Sequence, residues 1–66
     1  VQVIVNGEPR EIEGEETVSG LLRSLGIEPE RVAVELNRKI VKRANWEETV
    51  LRDGAQLEIV QFVGGG

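Results

Sequence analysis

The chain contains no cysteine and no histidine, and each absence removes a class of chemistry. Without cysteine there is no disulfide and no thiolate metal site, which fits a reducing, cytoplasmic setting. Without histidine the usual general base and the commonest metal ligand are gone. A Ser–His or Cys–His nucleophile is therefore impossible within these residues. Carboxylates alone can hold a hard cation, but no stretch resembles a calcium-binding loop. No apolar run approaches the roughly 20 residues that a membrane span needs, and no signal-peptide pattern opens the chain. The first residue is Val1, so an initiator methionine has been removed or lies outside the sequence.

Basic residues are also scarce. The formal charge is −4, which argues against nucleic acid, because phosphate affinity rests on accumulated Lys and Arg. One cluster runs the other way: Arg38, Lys39, Lys42 and Arg43 place four of the eight basic residues within six positions. Two readings stay open there. The charges belong to a solvated turn and edge strand, where they discourage sheet-to-sheet pairing, or they dock against an acidic partner. At 66 residues there is room for one domain, which buries only about 60% of the surface of its unfolded chain.

What is present is a succession of short periodic segments. "VQVIVN" is rich in β-formers and sets Val1, Val3 and Val5 on one face. Asn6-Gly7 is a strong hairpin signal, with Pro9 just beyond it. "REIEGEE" then reads as a short second strand anchored by Ile12. In "TVSGLLRSLG" the period changes, and Val18, Leu21, Leu22 and Leu25 form one helical stripe behind a Thr17 N-cap. Gly26 suits the left-handed position after the helix, with Ile27 folding back over the last turn. Gly20 costs about 1 kcal/mol relative to alanine inside a helix, and a helix this short must be held by packing. Ser19 reads as a first-turn residue, not a nucleophile.

Pro29 prevents the helix from continuing. "VAVEL" alternates, with Val32, Val34 and Leu36 on one face, and Asn37-Arg38-Lys39 reads as a turn into a short edge strand at Ile40-Val41. Asn45 with Glu48 three residues on suggests a capped helical turn. Trp46 within it is either a lid at the edge of the core or a partner contact. Asp53-Gly54 launches a last strand, Ala55 to Val63. Leu57 and Ile59 there follow one side, and Glu58, Val60 and Phe62 the other. If Leu57 and Ile59 meet the helix, then Val60, Phe62 and the out-of-phase Ile4 face away from it. On a one-layer sheet that second face is open to water, and large apolar residues on it are either scatter or a binding patch. Glu58 is a solvated acid or meets a basic group of a partner.

Hairpin, helix, strand, short strand and strand together predict an α+β roll. One main helix lies on a mixed sheet of four to five strands, the last parallel to the first. This is the β-grasp, ubiquitin-like arrangement. The expected division is a folded domain over residues 1–63 and a flexible glycine tail over residues 64–66.

Two stretches, "NRKIVKRANW" and "DGAQLEIVQFVGGG", resemble the ThiS family of ubiquitin-like sulfur carriers of thiazole and thiamin biosynthesis. The matching positions are Asn37, Ile40, Val41, Arg43, Trp46, Asp53, Gly54, Gly65 and Gly66. "VNGEP" and "TVSGLL" are similar to the family as well, so the resemblance spans essentially the whole chain. Lys42 stands where several relatives place proline, a departure that touches only a loop.

The resemblance implies that a ThiF-type enzyme adenylates the carboxylate of Gly66 and that a cysteine-derived persulfide displaces AMP, leaving a thiocarboxylate. The sulfur then passes to the ThiG thiazole synthase. ATP is consumed by the activating partner, so the chain itself is expected to need no cofactor or metal and to be a co-substrate, not an enzyme. It is expected as a monomer when free. Gly64 and Gly65, lacking side chains, would thread a narrow partner channel, and a three-residue tail reaches roughly 10 Å. Ile4, Val60, Phe62 and Val63 would form the docking face. The alternatives are a MoaD-type carrier serving molybdopterin synthesis and a ubiquitin-like interaction module that carries no sulfur.

Overall fold

The structure, a computed structural model, describes residues 1–62, so Val63 and the glycines beyond it lie outside the described residues. The five strands are β1 (Gln2–Val5), β2 (Glu8–Glu11), β3 (Val32–Leu36), β4 (Lys39–Val41) and β5 (Gln56–Gln61). The helix α1 covers Val18–Ser24. In space the strands run β2-β1-β5-β3-β4. β1 pairs antiparallel with β2 and parallel with β5, and β3 pairs antiparallel with both β4 and β5. The β-grasp roll anticipated from the element order is therefore present, with five strands and the last parallel to the first.

Two hairpins use the same turn chemistry. Asn6 and Gly7 have φ of 51 and 84, and Asn37 and Arg38 have φ of 52 and 71. Left-handed conformations at both central residues give the turn whose twist matches paired strands. Asparagine tolerates this region and glycine has no Cβ to clash, but arginine at φ 71 is strained.

The helix is defined at both ends. The Thr17 hydroxyl accepts from the Gly20 N–H at 3.1 Å. At the other end Ile27 N–H donates to the Leu22 carbonyl at 3.0 Å and Gly26 N–H to the Arg23 carbonyl at 3.1 Å, with Gly26 at φ +71. That pair of bonds is the Schellman closure, and it satisfies carbonyls the helix would otherwise leave bare. Val18, Leu21 and Leu22 are buried against the sheet, and Leu25 and Ile27 pack at the margin.

Opposite the helix the core is built from Val3, Val5, Val32, Val34, Ala55 and Leu57, and is completed by Trp46 and Leu51. The connection that carries Trp46 and Leu51 is tied to the helix start. Val18 N–H donates to the Thr49 carbonyl at 3.0 Å, and Leu51 N–H to the Glu16 carbonyl at 2.7 Å. Trp46 is 3% exposed, and its indole N–H donates to the Val41 carbonyl at 2.8 Å. It is a closing element of the core.

Three local expectations need correction. The second strand begins at Glu8 and includes Pro9, whereas Ile12 lies past its end. Proline is admissible there because β2 is an edge strand. Asn45 ends a short 3₁₀ turn (Arg43–Asn45) instead of capping a helical one. Its carbonyl accepts from the Glu48 N–H at 3.1 Å and the Thr49 hydroxyl at 2.7 Å. The last strand is also shorter than anticipated, starting at Gln56 and ending at Gln61. Among the described residues no helix is long and apolar enough to cross a membrane.

Candidate functional site

One face of the sheet is covered by α1 and the other is not. Strand pairing decides which residues share the open face. Ile4 lies beside Pro9 on one side and Gln56 on the other. Glu58 lies beside Glu35, and Val60 beside Ala33. Glu35 in turn lies beside Ile40 on β4. Because side chains alternate along a strand, Ile4, Gln56, Glu58, Val60, Ala33, Glu35 and Ile40 all belong to this face. Leu57 is buried, and Ile59 is half-buried against the core, as their opposite parity requires.

Val60 and Phe62 are 54% and 57% exposed, at the end of β5 that leads toward the tail. Phe62 is held there by its N–H, which donates to the Arg31 carbonyl at 2.7 Å. Ile4 shares the face but sits at its far end, beside Gln56 at the start of β5, and is half-buried. It lines a shallow hollow of about 220 Å³ with Gly7, Glu35, Arg38, Gln56 and Glu58. Val60 lies four positions along β5 from its neighbour Gln56, roughly 13 Å along a strand. Val63, Gly64, Gly65 and Gly66, the other positions singled out from the sequence, lie outside the described residues.

The most exposed apolar side chain on this face is Ile40, at 76%, expected from the sequence on an edge strand but with no face assigned to it. The signal was available. A two-residue turn at Asn37-Arg38 puts Ile40 opposite Glu35, and Glu35 is out of phase with the buried Val34.

The charges around the face are largely uncompensated. Glu35 and Glu58 stand directly opposite on neighbouring strands, an arrangement that disfavours the sheet slightly. Arg38, Lys39, Lys42 and Arg43 are all exposed. Among the described residues the ion pairs are Val1–Glu11 and Arg31–Glu28, and neither involves that basic cluster. No group of three or more potential metal ligands converges among the described residues. The open face thus offers apolar contacts and exposed charge.

The family model for the ThiS family matches residues 3–66. The chain belongs to the ThiS family. The sulfur carrier protein ThiS of Thermus thermophilus is 39% identical over 64 residues, covering 97% of this chain and 98% of that protein. The crystal structure of a thiamine biosynthesis protein (ThiS) from Geobacter metallireducens superimposes with a TM-score of 0.83 at 36% identity, covering all of both chains. A thiazole synthase of Magnetococcus marinus is 44% identical over the whole of this chain, which spans 20% of that longer protein. The ThiS match runs through the glycines that follow β5, the segment toward which Val60 and Phe62 lead.

Proposed function

We propose that this chain is a sulfur carrier for thiazole formation in thiamin biosynthesis, with the sulfur held at the C-terminal carboxylate of Gly66. The observation that carries the proposal is the ThiS match over residues 3–66, with β5 and the residue after it running from the buried Leu57 to the exposed Phe62 on the way to the glycines. The name of the Thermus relative supports the carrier role, and the 44% identity to part of a thiazole synthase supports that class of enzyme as the acceptor.

The chemistry follows from the poor electrophilicity of a carboxylate. A ThiF-type enzyme transfers AMP from ATP to the Gly66 carboxylate, releasing pyrophosphate. The terminal sulfur of a cysteine-derived persulfide attacks the acyl carbon, and AMP leaves. The acyl-persulfide so formed is cleaved by a second thiol, which attacks the donor cysteine's own sulfur; a disulfide forms there, and the terminal sulfur stays on the acyl carbon as the thiocarboxylate. Every reacting side chain belongs to a partner, consistent with a carrier that has no cysteine and no histidine.

Gly64 and Gly65 present no side chain to a narrow channel, and ordering them on binding costs conformational entropy. Docking through Val60, Phe62 and Val63, with Ile4 and Ile40 farther out on the same face, offsets that cost. The test is ATP–pyrophosphate exchange catalysed by a ThiF-type enzyme with this chain as co-substrate. Exchange should depend on the chain and be abolished by deletion of Gly66. Exchange that persists without Gly66 would refute the assignment of the carboxylate.

A further inference from the structure

The parallel pairing of β1 with β5 is short. Ile4 lies beside Gln56 and Val5 beside Leu57, and the Asn6 N–H donates to the Leu57 carbonyl at 2.9 Å. There β1 stops, because Asn6 and Gly7 turn the chain away into β2. β5 continues for four more residues, to Gln61. Alternation along β5 directs the Ile59 N–H and carbonyl toward the space β1 has left, since the Ala55 and Leu57 carbonyls already face β1.

Both groups are met by one side chain. The Ile59 N–H donates to Asn6 Oδ1 at 2.8 Å, and Asn6 Nδ2 donates to the Ile59 carbonyl at 3.3 Å. A carboxamide carries a donor and an acceptor in one plane, as a peptide group does, so Asn6 stands in for the missing next residue of β1. Turn geometry alone does not demand this, because glycine or aspartate would also accept φ of 51. Beyond Ile59 the pairing among the described residues is to the β3 side only. Val60 lies beside Ala33, Gln61 beside Val32, and Phe62 N–H donates to the Arg31 carbonyl.

We infer that Asn6 is a positioning residue: its side-chain amide clamps β5 at Ile59 and so sets the direction in which Val60 to Phe62, paired on the β3 side only, run on toward the glycines. This rests on the carrier reading insofar as tail direction governs delivery of the carboxylate. Asn37 provides a built-in comparison. It is also left-handed, at φ 52, and its Oδ1 accepts from the Gln56 N–H at 3.0 Å, at the start of β5, remote from the tail.

The experiment compares Asn6→Gly, Asn6→Asp and Asn37→Gly. All three keep a residue that tolerates the turn. In Asn6→Gly the Ile59 amide should exchange with solvent about tenfold faster relative to the Leu57 amide, the change expected for one lost hydrogen bond. Asn6→Asp, which keeps the acceptor for that N–H, should restore most of the protection, and Asn37→Gly should leave the ratio unchanged. Relaxation measurements should show Val60 to Phe62 more mobile in Asn6→Gly alone. With a ThiF-type enzyme, ATP and a persulfide source, Asn6→Gly should lower kcat/KM for thiocarboxylate formation about tenfold, against less than about twofold for Asn37→Gly. An unchanged Ile59 ratio, or equal losses in the two glycine variants, would overturn the inference. If the unsubstituted chain accepts no sulfur, the carrier reading fails instead, and the exchange and relaxation data still decide whether Asn6 clamps the strand.

Discussion

Trp46 joins three parts of the molecule. Its ring fills the core, its indole N–H holds the Val41 carbonyl at the end of β4, and its own carbonyl accepts from the Ser19 N–H in the helix at 3.2 Å. Replacing it by phenylalanine keeps an aromatic ring but leaves that carbonyl without its donor, so Trp46→Phe should destabilise the fold by about 2 kcal/mol in urea denaturation followed by circular dichroism. Fluorescence of the intact protein should be poorly quenched by iodide, and binding an activating enzyme should leave it nearly unchanged, as a buried lid requires and a contact residue does not. Gly20 gives the opposite sign. A methyl group there would meet only the Glu16 carboxylate, the far end of a flexible side chain, with the Thr17 hydroxyl at an ordinary 3.4 Å. Glu16 can swing aside, giving up its acceptance of the Thr17 N–H at 3.3 Å. Gly20→Ala should therefore recover most of the roughly 1 kcal/mol helix-propensity difference and raise Tm by several degrees.

Elements with a strong local signal were legible in full. The stripe Val18, Leu21 and Leu22, the Thr17 cap and the Gly26 closure all stand in the structure where periodicity and capping chemistry put them. The parity of β5 was legible too, because burying Leu57 forces Val60 outward. What stayed hidden was decided by partners distant in sequence. β2 carries four exposed residues, with no apolar alternation of its own, so its limits are set by pairing with β1. Leu51 is buried because residues 46–51 are strapped to the helix start, a contact that no short window contains. The clamps of Asn6 and Asn37 on β5 were equally out of reach, since turn propensity alone explains both asparagines. The second hairpin also contains a strained position. Glycine at Arg38 would keep the left-handed φ of 71 but remove the Cβ that strains it, while adding some freedom to the unfolded chain. The net expectation for Arg38→Gly is a gain of about 0.5 kcal/mol, read from a denaturation midpoint. If the same variant weakens binding to a partner, the strain is retained for the contact that Arg38 makes there.

The molecule as a whole keeps its apolar investment on one side of a single sheet and leaves the other side open. Val60, Phe62 and Ile40 remain exposed on that open side, and the exposed acid Glu58 and base Arg38 line the same hollow as Ile4 there, in a chain with net charge −4. Phe62 tests whether the exposure is used. Phe62→Asp should change stability by no more than about 0.5 kcal/mol, the usual range for surface positions, because the ring is over half exposed. It should weaken binding to a ThiF-type enzyme by at least about tenfold if the ring is an anchor. Loss of folding would mean that the ring supports the core. The account as a whole stands on where the sulfur goes. Incubation of the 66-residue chain with ATP, a ThiF-type enzyme and a cysteine-derived persulfide source, followed by intact mass measurement, reads this out. The account predicts that one oxygen of the Gly66 carboxylate is replaced by sulfur, and that the change disappears when Gly66 is deleted. An unchanged mass in the intact chain, or the same gain of sulfur without Gly66, would contradict it.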